Sequence, residues 1–337
     1  MDVGIDLPLL WAGIIGFGLM MYVIMDGFDL GIGILFPFVA ERADRDTMVN
    51  TIAPVWDGNE TWLVLGGAGL LAAFPLAYSV ILPAVYLPII AMLLGLILRG
   101  VAFEFRFKAD DAHKPMWDKA FAGGSYIATF SQGVVLGSFI NGFTVANRAY
   151  AGGPLDWLTP FSIFSGFGLI VAYALLGSTW LILKTEGALQ ARMRTLAKPI
   201  VIALLATIAI VSLWTPLAHP DIAARWFSYP NIVFFSPVPI LVVVATLAIL
   251  WTVGRDTHAV PFILALGLVF LGYSGLAISL WPNIIPPSIS IWDAASPPQS
   301  LGFTLVGALF IIPFILFYTA WAYYVFRGKV KAGEGYH

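Results

Sequence analysis

Cysteine is absent from the 337-residue chain, and histidine occurs only four times, as His113, His219, His258 and His337. Without thiols this polypeptide can form no disulfide, hold no cysteine-ligated iron–sulfur cluster and offer no thiolate to haem. The four histidines fall in expected loops or at the C-terminus. A bis-histidine haem or an intramembrane copper site needs histidines on facing helices, so a redox centre would have to be held mainly elsewhere or by weaker ligands such as Met. Charge is scarce as well. Only 11% of residues are Asp, Glu, Lys or Arg, against about a quarter in a soluble domain. The net charge of −2 says nothing about nucleic acid, and no basic patch supports such a partner. The segment from Met1 to Asp6 has no positive n-region, so no cleaved signal peptide is expected.

What the chain has in excess is apolar sequence, 60% of its residues. Runs of roughly eighteen or more apolar residues recur, each long enough to cross ~30 Å of hydrocarbon as a helix. They predict an all-α polytopic membrane protein of a single integral domain. Nine transmembrane helices are expected, at 8–36, 60–77, 79–104, 117–143, 159–184, 197–218, 231–253, 259–282 and 302–327. Turn chemistry punctuates them at Pro75, at Gly152-Gly153-Pro154 and at His219-Pro220-Asp221. The stretch from Pro286 to Pro298 is too polar and proline-broken to span.

Orientation follows from the basic residues. The loops on one side hold Arg42, Arg45, Arg106, Lys108, Lys114, Lys119, Lys184, Arg192, Arg194, Lys198, Arg255, Arg327, Lys329 and Lys331. The other side holds only Arg148 and Arg225. This bias places the N-terminus outside and the C-terminus in the cytoplasm. Trp157, Trp226, Trp281 and Trp292 are expected at the outer interface, and Trp117 with Tyr323 and Tyr324 at the inner one. Glycines in Gly66-Gly67-Ala68-Gly69 and Gly133 to Gly137 are expected to let helices approach closely.

Charges inside the spans carry the functional information, because an ionisable group in hydrocarbon costs about 2.5–3.5 kcal/mol even on lenient insertion scales. Asp26 and Asp29, three apart, share a face of the first helix. They read either as a proton-handling pair or as carboxylates capping a helix broken at Gly27 and Gly31. In Trp56-Asp57-Gly58-Asn59-Glu60-Thr61-Trp62, Asp57 and Glu60 are again three apart. They are either a capping box or part of the same proton-handling set. Arg99 lies in the third span. Glu104 is five residues on, about 140° round the helix, and is a poor partner. Asp29, Asp57 and Glu60 are better ones, with snorkelling to the interface as the alternative. All of these groups lie towards the expected cytoplasmic side, as a proton inlet or a static ion-pair cluster would.

The segments Asp26-Gly-Phe-Asp-Leu-Gly-Ile-Gly33, Ile52-Ala-Pro-Val-Trp-Asp-Gly-Asn-Glu-Thr-Trp62, Arg99 to Phe105, Ile291-Trp-Asp-Ala-Ala295 and Tyr318-Thr-Ala-Trp-Ala-Tyr323 together resemble subunit II of the cytochrome bd-type quinol oxidases, in the cyanide-insensitive branch. The resemblance implies two four-helix bundles plus one peripheral helix in the bacterial cytoplasmic membrane. It implies a heterodimer with subunit I, with or without a small single-helix subunit. Subunit I would hold the haem b and haem d-type centres, oxidise quinol on the outer side and reduce oxygen to water, with protons drawn from the cytoplasm and no pumping. On that resemblance no catalytic residue or metal falls in this chain. Asp26, Asp29, Asp57 and Glu60 become proton-path candidates and Trp62 a candidate for oxygen access. Arg99 becomes a partner for haem propionates or a carboxylate at the subunit boundary. Glu60 departs from the glutamine of some longer relatives. Two other readings of the same charges are a proton-coupled secondary transporter and a purely structural partner subunit.

Overall fold

A computed structural model describes residues 4–330; Lys331 and His337, used above, lie outside the described residues. The chain is helical throughout: α1 (Leu7–Leu35), α2 (Arg42–Asn50), α3 (Trp56–Ala73), α4 (Pro75–Ala84), α5 (Tyr86–Lys108), α6 (Lys114–Asn141), α7 (Pro160–Lys184), α8 (Gly187–Ala218), α9 (Pro220–Phe227), α10 (Asn231–Phe235), α11 (Pro237–Val253), α12 (Val260–Leu280), α13 (Ile291–Ala294) and α14 (Pro298–Val325). Two small antiparallel hairpins sit in connections, Val145–Ala146 with Ala149–Tyr150 and Asn283–Ile285 with Ile289–Ser290.

Local chemistry sets the helix ends. Asp6 caps α1 by accepting from Leu9 N–H at 3.0 Å, and Thr159 caps α7 by accepting from Ser162 N–H at 3.1 Å, each satisfying an amide that has no partner within its helix. Prolines stand in the first turns of α4, α6, α7, α9, α11, α12 and α14, where a missing N–H is harmless. Gly142, at φ +81°, ends α6, a backbone conformation that side-chain-bearing residues avoid.

Helices α7, α8, α11 and α12 form a closed ring in which each packs on the next, while α1 packs against α3, α6 and α7, and α5 against α6. Helix α14 lies outside, touching α1 and α3 and burying only Leu301. Small residues set the closest approaches. A Cβ on Gly31 would collide with the Tyr173 carbonyl and the Gly177 amide of α7. Gly95 and Gly124 meet backbone to backbone between α5 and α6, and Gly133 meets Ser165 and Gly166 of α7. Gly66 and Gly69 admit Leu19 and Ile15 of α1. The glycine stretches therefore act in packing, as expected.

Several expected boundaries are corrected. The second and third spans are not 60–77 and 79–104. Helix α3 stops at Phe74, whose φ of −135° and ψ of 63° break the helix before Pro75. The separate helix α4 then intervenes, with Pro83 near its end. It buries Ala77, Val80, Ile81 and Ala84 in a core shared with Trp11, Phe143 and Ile291. Helix α8 begins at Gly187, ten residues before the expected 197, because the basic segment Gln190 to Lys198 continues the helix. Arg194 there donates to the carbonyls of Val253, which ends α11, and of Arg255 and Thr257 just beyond it. Among the described residues, seven helices are long and apolar enough to cross a membrane by length and composition: α1, α5, α7, α8, α10 with α11, α12 and α14. The other two expected spans fall on α3 and α6. Both are helical, but α3 opens on Asp57, Asn59 and Glu60 and α6 buries Ser125, Thr129, Ser131, Gln132 and Ser138.

Candidate functional site

Helix α1 runs without interruption from Leu7 to Leu35, so Asp26 and Asp29 do not cap a broken helix. Both side chains are completely buried. Arg99, in α5, is buried equally completely, which removes the snorkelling alternative. Its Nη1 donates to Asp26 Oδ1 at 2.8 Å and to Glu60 Oε1 at 2.7 Å, and its Nη2 lies 3.8 Å from Asp29 Oδ2. One guanidinium thus joins three carboxyls from two other helices. The Trp56 ring lies 6.0 Å from the guanidinium carbon, within cation–π range.

The side chains around this cluster extend it. Asn59, 1% exposed, donates from Nδ2 to Asp29 Oδ2 at 2.7 Å and accepts at Oδ1 from the Tyr323 hydroxyl of α14 at 2.9 Å. Tyr323 therefore turns inward to the cluster and is not an interfacial anchor. On the other flank, Tyr173 of α7 donates to Gln132 Oε1 at 3.0 Å, and Gln132 Nε2 donates to the Tyr22 hydroxyl at 2.7 Å. Tyr22 stands one turn before Asp26. Burial leaves Asp26 Oδ2, Asp29 Oδ1, Arg99 Nε and Arg99 Nη2 without hydrogen-bond partners. A buried polar network with open valences is costly unless something uses them.

Asp57 behaves differently. It occupies the second position of α3, is exposed and makes no capping bond; Val55 is the N-cap. The capping box is therefore not formed, and Asp57 is not brought to Arg99 although Glu60, one turn on, is. Glu60 keeps 27% of its side chain exposed, so it is the group of the cluster that reaches the surface. Trp62 is 1% exposed, packs edge-on to Phe17 at 5.9 Å and holds its Nε1 without an acceptor.

A second cluster escaped the sequence reading. Arg106, two turns beyond Arg99 on α5, was counted as a loop charge, yet it is 1% exposed. Its Nε donates to Asp118 Oδ1 at 2.6 Å and its Nη1 lies 2.7 Å from Asp46 Oδ1. Arg45 Nη1 donates to Asp118 Oδ2 at 2.9 Å. These pairs pin α2 onto the α5–α6 hairpin. Asn59, Gln132, Tyr22, Tyr173 and Tyr323 were also missed. Their one signal in sequence is polarity within apolar runs, which is not distinctive when Ser, Thr and Tyr are scattered through most spans.

The molecule is thus a polytopic α-helical membrane protein with two buried arginines, each held by carboxyl partners from other helices. Residues 7–326 match the family model for cytochrome bd terminal oxidase subunit II, and the chain belongs to that family. It is 29% identical to the cytochrome bd-I ubiquinol oxidase subunit 2 of Escherichia coli K12, over 96% of this chain and 95% of that one. It is also 29% identical to the cytochrome bd ubiquinol oxidase subunit 2 of Bacillus subtilis, over 96% and 97%. The fold matches the bd oxidase of Geobacillus thermodenitrificans with a TM-score of 0.73 over 93% of this chain and 97% of that chain, at 17% identity.

The family name implies haem. His113 precedes α6, His219 separates α8 from α9, and His258 separates α11 from α12. These three lie between helices, outside the spans, and no group of three or more His, Cys, Asp or Glu able to hold a metal occurs among the described residues. These three loop positions do not form a bis-histidine pair within a span, and no step within this chain is routed through haem.

Proposed function

We propose that this chain is the subunit II of a quinol oxidase that stabilises a haem-bearing subunit I and conducts protons to it from the cytoplasm, with Trp62 lining oxygen access. In this reading subunit I holds haem b and haem d-type centres, oxidises quinol and passes four electrons to oxygen. The oxidase is electrogenic without pumping, with or without a third, single-helix subunit. The chain crosses the bacterial cytoplasmic membrane nine times, α3 and α6 included, with its N-terminus outside. The loop-charge bias supports that orientation.

The observation that carries the proton role is the Arg99 cluster. Asp26, Asp29 and Glu60 are gathered at one guanidinium, and Glu60 alone of the three is partly exposed. A partly exposed carboxyl touching buried ones is the arrangement an inlet requires. The transporter alternative is weakened because Asp26, Asp29 and Arg99 sit on uninterrupted helices, not on the discontinuous ones that transporters use.

The well-paired Arg99 favours one second reading, a static ion pair that only holds α1, α3 and α5 together. Substitution separates the two. In the purified complex, Glu60→Gln and Asp26→Asn are expected to slow quinol-driven oxygen uptake at least tenfold while haem content is retained. Unchanged uptake would leave the static reading. Asp57→Asn, away from the cluster, is expected to have the smaller effect.

A further inference from the structure

The flank formed by Tyr173, Gln132 and Tyr22 has no place in the proton inlet as described, yet it is fully enclosed. Tyr173 is 0%, Tyr22 3% and Gln132 8% exposed, and the three come from α7, α1 and α6. The direction of each bond in this chain follows from valence. Tyr173 gives its only hydroxyl hydrogen to Gln132 Oε1. That bond fixes the carboxamide so that Nε2 donates to the Tyr22 oxygen. A phenol oxygen that accepts still has a hydrogen to give, and no further acceptor for it is recorded on α6 or α7. Asp26 is four residues on, on the same face of α1, and adjoins the Tyr22 hydroxyl. Its Oδ1 is taken by Arg99, while its Oδ2 is buried and open to a donor.

We propose that Gln132 is a positioning residue. Clamped by Tyr173, its carboxamide turns the Tyr22 hydroxyl hydrogen towards Asp26 Oδ2, and so holds that carboxyl as a hydrogen-bond acceptor beside Arg99. The inference rests on the proton-path reading of Asp26. It adds a termination to that path. A phenol can pass a proton between two neighbours, but a carboxamide offers no readily transferable proton, so the chain stops at Gln132. Asp26 then exchanges protons only towards Arg99, Glu60 and Asp29. The alternative amide orientation, with Nε2 towards Tyr173, would take Tyr22's hydrogen away from Asp26 and leave Tyr173 seeking an acceptor. An anionic Asp26 selects the observed orientation.

The ionisable groups that face Asp26 are Tyr22 and Asp29 on α1, Glu60 on α3, Arg99 on α5, Tyr173 on α7 and Tyr323 on α14. Gln132 is the contribution of α6. The test uses the assembled oxidase complex and four variants: Gln132→Leu, Tyr22→Phe, the two combined, and Asp26→Asn. Quinol-driven oxygen uptake is followed from mildly acidic to alkaline pH, with haem content as the control for assembly. One hydrogen bond to a charged carboxyl changes its balance by about tenfold. Tyr22→Phe is expected to move one limb of the pH profile to higher pH by about one unit, and Gln132→Leu to move the same limb in the same direction by part of that shift, since it loosens the Tyr22 hydroxyl without deleting it. The double variant should move it no further than Tyr22→Phe alone, because both residues act through one bond. A merely structural glutamine would lower haem content or rate without moving the limb.

An unmoved limb in Gln132→Leu at normal haem content overturns the inference, as does a double variant whose shifts add. Should Gln132→Leu fail to assemble, Tyr22→Phe decides alone, since it removes a single oxygen. If Asp26→Asn leaves rate and profile untouched, the proton-path reading itself has failed. If Asp26→Asn slows uptake and Gln132→Leu and Tyr22→Phe change nothing, only the role of Gln132 is lost.

Discussion

Replacing Arg99 by methionine removes the one cation, among the described residues, in contact with Asp26, Asp29 and Glu60 while keeping the length of an apolar stem. The two direct bonds, at 2.8 and 2.7 Å, do not carry equal weight. Glu60 has 27% of its side chain exposed, and water can replace its lost partner at a cost of about 1 kcal/mol or less. Asp26 and Asp29 have no such recourse. Removing one partner of a buried pair costs about 3–5 kcal/mol, and here the removal strands two carboxyls. The expected loss is therefore about 3–5 kcal/mol, set by Asp26 and Asp29. A second substitution tests the origin of that loss. Asp26→Asn in the Arg99→Met background removes the stranded carboxyl that Arg99 bonds directly and should return about 2–3 kcal/mol, a coupling typical of residues in one network. The assay is thermal unfolding of the detergent-purified complex, followed by tryptophan fluorescence, with complex yield as a check. Arg99→Met at wild-type stability would refute the argument that the guanidinium neutralises buried charge. A double variant no more stable than the single one would refute the assignment of the cost to Asp26.

Three further outcomes follow from other contacts. Gly31→Ala forces a methyl into the Tyr173 carbonyl and the Gly177 amide. It should cost about 3 kcal/mol, the upper end of overpacking, read as lost yield of folded protein, whereas Gly67→Ala, which meets open space, should be neutral. Tyr323→Phe removes the bond to Asn59 and should cost about 1 kcal/mol in the same unfolding assay, with no change in helix content by circular dichroism. Arg106→Met breaks the buried bond to Asp118 and the contact with the part-exposed Asp46 and should destabilise by about 3–5 kcal/mol, nearly all of it from Asp118, while Arg42→Ala, which breaks an exposed pair with Asp111, should stay within about 0.5 kcal/mol.

Hydrophobic run length made the helical membrane class legible, because backbone polar groups in hydrocarbon can be satisfied only within helices or closed barrels. Charge scarcity made Asp26, Asp29, Glu60 and Arg99 legible for the same reason. Their mutual geometry was only half legible. Spacing along one helix put Asp26 with Asp29, but no spacing says which helix brings Arg99 to them, since that depends on how far α5 slides against α1. It likewise put Asp57 with Glu60, although only Glu60 reaches Arg99, because a capping box and a solvent-facing first turn share one sequence pattern. The break at Phe74 was missed because Pro75 reads equally as the end of one span and the start of another.

The uncharged members of the site were invisible for a deeper reason. A buried Gln or Tyr costs little if it finds a partner, and membrane helices use such residues for packing as readily as for function. What distinguishes Gln132 is not its identity but that both ends of its amide are engaged, by phenols from two different helices. Arg106 shows the converse. Its charge was visible, but its place near the end of α5 suggested solvent, and only the fold of α2 across it makes it buried. In both cases the decisive term is the side chain's partner set, a property of the packed bundle. Single-residue cost can flag a site in a membrane protein, and the closing of hydrogen-bond valences must then decide what the site does.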